Sequence, residues 1–231
     1  EEAKKHGVRI VGPNCLGLIN THAKLNASFS NSMPAVGNVS FISQSGAICT
    51  GILDWVEEEN IGFSKFVSFG NKLDIKEYDL INELADDNET DVVLGYFEDI
   101  PNGLEFVKAA KNISKKKPLL LLKSGRSASG GKAIASHTGA LAGDDKAYVT
   151  AFKQSGAIQA QTIDEIFDYA KCFATQPPPK GKRVAIITNA GGPGVMGADA
   201  VENFEMEMAA LEDETKESLK GVLPAAANVN N

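Results

Sequence analysis

This chain of 231 residues is poor in cysteine, histidine and tryptophan, with three, three and one of them. Cys15, Cys49 and Cys172 show no CxxC spacing and make no disulfide framework, so they read as reduced thiols of a cytoplasmic protein. Long hydrophobic runs are missing too: the longest apolar stretch, "PLLLLK", suits a buried strand and is far too short to span a bilayer. Basic excess is also absent. A formal net charge of −7 argues against a general nucleic-acid binder, which needs a basic face to displace counterions from phosphates. A local anion site made of backbone amides stays open. No initiator methionine or signal sequence opens the chain, and no closing element ends "LPAAANVNN". Both ends read as cut, and a piece of a longer polypeptide is expected.

Hydrophobic residues make up 43% and charged residues 23%, ordinary values for a chain that packs a core. Length favours two modest domains over one large one. After a helical tail at residues 1–6 and a short strand at 8–11, apolar runs alternate with amphipathic stretches. "NVSFIS" (38–43), "KFVSF" (65–69), "DVVLGYFE" (91–98) and "PLLLLK" (118–123) mostly lack polar alternation, so they predict parallel strands buried on both faces. Helices are predicted over 46–60, 75–87 and 103–116. Ile75, Tyr78, Ile81 and Leu84 share one face of the second; Leu104, Val107, Ala110 and Ile113 share one face of the third. This alternation is that of βαβ units in a doubly wound α/β domain. A helix over 162–174 opens with a capping box, Thr162 with Glu165. "TQPPPKGK" then makes a stiff extended linker. Beyond it come a strand at 183–189, a glycine turn, a helix from about 194 to 202, a strand at 207–211 and a last helix. They form a second, smaller α/β unit.

Some stretches have the makings of chemistry. Ser43, Gln44, Ser45 and Gly46 turn a buried strand into a helix at the carboxyl edge of the sheet, where open α/β folds bind ligands. The free N–H groups and positive end of that helix suit an anion; equally, Ser43 or Ser45 simply caps it. Asn189, Gly191, Gly192 and Gly194 make the same kind of turn in the second unit. Gly192, Gly194 and Gly197 keep the spacing of a dinucleotide fingerprint, with Glu212 about 20 residues on, where a ribose-binding acid would sit. A tight turn with close helix packing explains the same glycines. Glu98, at the tip of an apolar strand, reads as a functional carboxylate, a helix cap or a solvated group; Asp99 beside it reads as solvated. His137 lies in a long glycine- and serine-rich loop, among Ala135, Ser136, Thr138, Gly139 and Ala140. An imidazole nucleophile needs little bulk around it, a carboxylate to hold its tautomer and donors for the anion it attacks. Incidental surface placement is the plain alternative. His6 and His22 have no such company and read as structural or incidental.

The stretches "GPNCLGLIN", "FISQSGA", "SFGNKLDI", "YFEDI", "KSGRSASGGKAIASHTGALAG" and "AIITNAGGPGVMGADA" resemble the NDP-forming acyl-CoA synthetases. Among these they are most similar to the ADP-forming acetate–CoA ligases, relatives of succinyl-CoA synthetase. The resemblance implies an α/β fold of two flavodoxin-like (doubly wound, parallel-sheet) ligase domains joined by the proline-rich linker, the second incomplete. Residues 1–22 would be the tail of a CoA-binding Rossmann domain, 37–176 the first ligase domain with its phosphohistidine loop, and 180–231 part of the second. The implied reaction interconverts acyl-CoA, phosphate and ADP with carboxylate, CoA and ATP, through an acyl phosphate and a phosphohistidine. His137 matches the phosphorylated histidine, and Glu98 the carboxylate that orients it. Ser43, Gln44, Ser45 and Gly46 match one phosphate-holding helix end, and Asn189, Gly191, Gly192 and Gly194 the other. Asn71 and Lys72 are expected to shape the same edge and touch the acyl group. CoA and ATP or ADP with magnesium are then substrates, bound mainly by domains outside this chain. No metal site and no tightly bound cofactor are expected within it. The implied partners are an ATP-grasp domain or subunit, a CoA-binding domain, phosphate and acyl phosphate. The implied setting is a cytoplasmic oligomer that touches neither nucleic acid nor membrane.

Three rival readings remain open. A regulatory or acetyltransferase-associated relative would keep the domains and lack the loop histidine, which is present here. A non-catalytic ligand-binding module of this fold would need neither phosphorylation nor Glu98. An NAD-dependent oxidoreductase rests on Gly192 to Gly197 and leaves "SHTGALAG" unexplained.

Overall fold

The four apolar runs of the first 123 residues all become strands, because each can bury both of its faces. In chain order a first unit, Glu1–Gln176, holds helix α1 (Glu2–Lys5), strands β1 (Gly17–Asn20), β2 (Leu25–Ser28) and β3 (Val36–Ser43), helix α2 (Gly46–Glu59), strand β4 (Phe63–Ser68) and helix α3 (Glu77–Ala85). There follow β5 (Val92–Phe97), α4 (Gly103–Ser114), β6 (Leu119–Lys123), α5 (Ala128–Thr138), α6 (Asp145–Ser155), β7 (Ile158–Ala160) and α7 (Ile163–Thr175). This computed structural model describes residues 1–59, 61–138 and 144–229, with the backbone alone for 57–59, 128, 137 and 138.

The seven strands form one sheet in the order β2-β1-β4-β3-β5-β6-β7. From β4 to β7 every pairing is parallel. Counted from the first of them, the parallel strands run 2-1-3-4-5, the flavodoxin-like order. β1 adds to the edge antiparallel, against β4 on one side and β2 on the other. Alternate side chains of each strand feed two cores. Phe41, Leu94, Leu120 and Leu122 meet residues of α2 and α7, while Ile42, Val93, Leu119 and Leu121 meet those of α3, α4 and α6.

Several local expectations shift. Residues 8–11 form no strand: they run beside the segment after β4, where Ile75 N–H donates to Ile10 C=O at 3.2 Å. On α4 the buried face is Phe106, Ala109, Ala110 and Ile113, and Leu104 is 78% exposed. Phenylalanine outcompetes leucine for the core, which turns the stripe away from Leu104. α7 keeps half of its capping box. Thr162 Oγ1 accepts from Glu165 N–H at 3.1 Å, but Glu165 Oε2 accepts from Gln161 N–H at 2.6 Å, one residue upstream.

The second unit, Pro177–Asn231, contains β8 (Arg183–Val184), α8 (Gly191–Asn203), β9 (Glu207–Met208) and α9 (Asp213–Lys220). The two strands pair in parallel. Both are shorter than the runs at 183–189 and 207–211 suggested: the one ladder between them is two residue pairs long. No helix among the described residues is long and apolar enough to cross a membrane.

Candidate functional site

β3 and β5 are neighbours whose following helices, α2 and α4, pack on opposite faces of the sheet. Such a switch point opens a crevice at the carboxyl ends of the strands. A cleft of about 750 Å³ lies there. Its lining comes from separate stretches: Asn14 and Cys15 before β1, Gln44 to Ala47 at the junction of β3 with α2, Asn71 and Lys72 after β4, and Glu98 and Asp99 after β5. Phe29, 87% exposed, stands at its apolar side with Leu16.

The serines at the start of α2 close the turn themselves. Ser43 Oγ accepts from Ser45 N–H at 3.1 Å and donates to Ser45 C=O at 3.0 Å, and Ser45 Oγ accepts from Ile48 N–H at 3.3 Å. A ligand is therefore left mainly the backbone at Gly46 and Ala47, where the first N–H groups of a helix lack intrahelical acceptors. Gln44 has a different role. Its Oε1 accepts from Glu98 N–H at 2.8 Å and Asp99 N–H at 3.2 Å, and its Nε2 donates to Asp99 Oδ1. The amide thus ties the end of β3 to the end of β5.

The far wall is built by docking residues 70–75 onto 10–14. Asn71 N–H donates to Pro13 C=O at 2.9 Å and Leu73 N–H to Gly12 C=O at 2.9 Å. Gly70 adopts φ +52°, and a Cβ there would sit 2.3 Å from the Pro13 carbonyl oxygen, so only glycine fits. Leu16 N–H reaches Ser68 Oγ at 3.0 Å. These bonds bring "GPNC" and "GNKLDI" to one edge.

Lys72, only 4% exposed, donates to Asp99 C=O at 2.9 Å and is ion-paired with Asp99 Oδ1 at 2.9 Å and Glu77 Oε2 at 3.1 Å. The Glu77 contact is an ion pair without hydrogen-bond geometry, and Glu77 Oε1 finds no hydrogen-bond partner although the residue is fully buried. Asp99, expected to be solvated, is instead the acceptor shared by Lys72 and Gln44. A second buried lysine, Lys123, ends β6 at the same edge, donates to Ser124 C=O and stands 4.5 Å over the Tyr148 ring. Burial lowers its pKa, opposed by the charges of Asp99, Asp145 and Glu98. Burial likewise raises that of Tyr96, with the charge of Glu98 acting in the same direction and a hydrogen bond with Ser124 opposing.

The glycines and serines around His137 predict a loop, but its backbone falls in the last turn of α5. Alanine-rich "ASGGKAIASHT" tolerates a helix, and Ser127 starts it, its Oγ accepting from Gly130 N–H at 3.0 Å. The His137 side chain and residues 139–143 lie outside the described residues. Arg126 and Asp145 close this segment from both sides with paired contacts, Nε–Oδ1 at 2.7 Å and Nη2–Oδ2 at 3.1 Å. That hydrogen bonding holds the Asp145 carboxyl below its usual range and the Arg126 guanidinium above its own.

In the second unit Asn189 precedes α8, and Gly191, Gly192 and Gly194 lie in its first turn. A Cβ on Gly191 or Gly192 would meet open space, whereas one on Gly197 would come within 3.0 Å of Ile186 Cδ1. Gly197 allows α8 to pack closely on the segment that follows β8. Glu212 is the N-cap residue of α9.

The first unit therefore brings together Gln44, Ser45, Gly46, Asn71, Lys72 and Glu98 around the cleft, while Ser43 is fully buried and does not line it. Sequence reasoning passed over Asn14 and Cys15, which line the cleft, and Lys123, buried at the same sheet edge. A lysine closing the apolar run "PLLLLK" was the available signal for the last.

A family model described as the succinyl-CoA ligase like flavodoxin domain matches residues 36–173. The α subunit of ADP-forming acetate–CoA ligase II of Pyrococcus furiosus is 52% identical over 231 residues, covering 100% of this chain and 50% of that one. The ADP-forming acetate–CoA ligase of Methanocaldococcus jannaschii is 49% identical over 231 residues, covering 100% of this chain and 33% of its own length. Thus the chain spans half or less of these curated relatives. A solved structure, the dinucleotide forming acetyl-coenzyme A synthetase 1 of Ca. Korarchaeum cryptofilum in complex with phosphate and ADP, superposes with a TM-score of 0.93 at 37% identity. It covers 99% of this chain and 50% of that one.

Proposed function

We propose a function on one premise: this chain belongs to the family of succinyl-CoA ligase like flavodoxin domains. It is part of an ADP-forming acyl-CoA synthetase, and its share of the work is making and holding the phosphohistidine. The observation that carries this reading is the cleft between β3 and β5, which gathers the amino end of α2, Glu98 and the Asn71–Lys72 turn. Acetate is the proposed acid, since both relatives are named for it.

A phosphate oxygen attacks the thioester carbonyl, the C–S bond breaks, and CoA leaves as a thiolate that takes a proton. An imidazole nitrogen of His137 then attacks phosphorus, and the P–O bond to the acyl group breaks to release the carboxylate. The phosphoryl group finally passes to a terminal oxygen of ADP. Little covalent work falls to the protein in such transfers, so positioning and charge stabilisation dominate. The backbone at Gly46 and Ala47 holds phosphate oxygens against the positive end of α2. Glu98 orients the imidazole. In the second unit, Asn189, Gly191, Gly192 and Gly194 are proposed phosphate ligands on the strength of their open helix start. CoA and the magnesium nucleotide are substrates taken by a CoA-binding domain and an ATP-grasp domain or subunit, in an oligomeric cytoplasmic enzyme. On this reading residues 37–176 are the first ligase domain and 180–231 part of the second.

The test is phosphoryl labelling of the complete enzyme with labelled ATP. The expected product is acid-labile and alkali-stable, as a phosphoramidate requires. His137→Ala should abolish it, and Glu98→Gln should slow it by roughly tenfold to a hundredfold with the fold intact, the usual cost of losing a group that only orients another. Label that survives His137→Ala would place the nucleophile elsewhere, and no label at all would favour a regulatory role.

A further inference from the structure

We propose that Lys72 is a positioning residue: by holding Asp99 it fixes the turn that carries Glu98. This inference rests on the phosphohistidine reading above. β5 ends at Phe97, whose carbonyl takes the Ser124 N–H at 3.0 Å, so the peptides of Glu98 and Asp99 lie past the strand ladder. Two side chains replace the missing ladder. From β3, Gln44 accepts both N–H groups, at 2.8 and 3.2 Å. From the turn after β4, Lys72 donates to the Asp99 carbonyl at 2.9 Å and pairs with its carboxylate at 2.9 Å. The 98–99 segment is thus gripped on its donor side and its acceptor side at once.

The alternative use of Lys72, as a direct ligand of a substrate anion, does not fit its surroundings. Its ammonium donates to the Asp99 carbonyl and is already ion-paired with two carboxylates, Asp99 at 2.9 Å and Glu77 at 3.1 Å, so its charge is committed within the protein. The backbone there is left-handed, φ +54°, and its carbonyl takes a bond from Lys76 Nζ. Glu77 explains why the ammonium stays put. It is a fully buried carboxylate in the first turn of α3 with no hydrogen bond of its own, so Lys72 and the helix amino end are what balance it. Lys72 therefore couples three carboxyl ends, those of β3 through Gln44, β4 and β5, into one rigid edge under Glu98.

The complete enzyme tests this by single-turnover formation of phosphohistidine from labelled ATP. Removing Lys72 alone would strand the Glu77 charge, so the variant used is Lys72→Met/Glu77→Met, which removes both buried charges together. Its labelling is expected to slow by roughly tenfold to a hundredfold, while the KM for phosphate, read in steady state in the direction that forms ATP, changes by no more than about twofold. Because Lys72 acts through Glu98, adding the pair to Glu98→Gln should cost no more than about threefold further. Asp99→Asn leaves the Lys72–Glu77 pair intact, keeps folding out of the question, and should show the same dependence on Glu98. Labelling at the wild-type rate in both variants would overturn the inference, as would full multiplicative losses in the Glu98→Gln background with a raised KM for phosphate. Wild-type label that depends on His137 but ignores Lys72 sinks this inference alone; label independent of His137 sinks the functional reading beneath it.

Discussion

Cys49 and Gly70 show how far single side chains near the cleft are committed. The Cys49 thiol is pushed up to about 12 by burial, and hydrogen bonding with Ser43 and Ser68 only partly opposes this. At pH 8 in the folded protein, iodoacetamide should modify exposed Cys172 and leave Cys49 untouched, read by mass spectrometry of tryptic peptides. Rapid modification of Cys49 would mean that α2 opens away from the sheet. Nothing in the string "SFGNKLDI" says why glycine is needed at position 70. The reason is the Pro13 carbonyl 2.3 Å from where its Cβ would be, a contact between residues far apart in sequence. Glu98 was legible because an acidic residue ending an apolar run is conspicuous; its grip by Gln44 and Lys72 was not, since both partners are distant in sequence.

The parallel strands announced themselves as continuous apolar runs and the amphipathic helices by period. β1, β2, α6 and β7 did not: their strands are three or four residues long, and β1 and β2 pair antiparallel at an edge. α5 was hidden by its glycines and serines, which read as loop until Ser127 and the Arg126–Asp145 pair are seen to frame it. Another pair, Lys65 on β4 with Asp87 beyond α3, meets at 2.6 Å and is mostly shielded from solvent. Burial works upward on the Asp87 carboxyl, but hydrogen bonds from Lys65 and Thr90 outweigh it and hold the pKa low. Burial works downward on Lys65, and its bonds with Asp87 and Glu89 outweigh that and raise it. A carboxyl whose pKa falls on folding stabilises above its ordinary value, about 3.9, and that stabilisation is lost as pH falls through the lowered value. Urea unfolding of Asp87→Asn should therefore show a shallower loss of stability between roughly pH 4 and pH 2 than the wild type does. An identical acid limb in the two proteins would show the pair to be without effect.

The chain divides after Gln176, and every residue of both hydrophobic clusters belongs to the first unit. That unit thus has a core of its own, as an independently folding domain requires. A chain ending at Gln176 should unfold cooperatively with a Tm within about 4 °C of the corresponding transition in the whole chain. A larger drop, or loss of a cooperative transition, would show that residues 177–231 stabilise the first unit. By the same division the Ser43–Gly46 turn belongs to one unit and the Asn189–Gly194 turn to the other.

Composition and periodicity were enough for an α/β chain with buried parallel strands, and the motif order was enough for its family, because apolar runs, helical stripes and short turns are local properties of a sequence. Where local pattern was weak, at 8–11, 128–138 and 183–189, tertiary contacts chose a different conformation. The cleft needed the fold altogether. Its strand order places β3 beside β5, the cost of burying Glu77 draws Lys72 inward, and Asp99 becomes the acceptor between lysine and glutamine. Those are long-range electrostatic and hydrogen-bond demands, which arise only when distant segments are folded together and water is excluded between them.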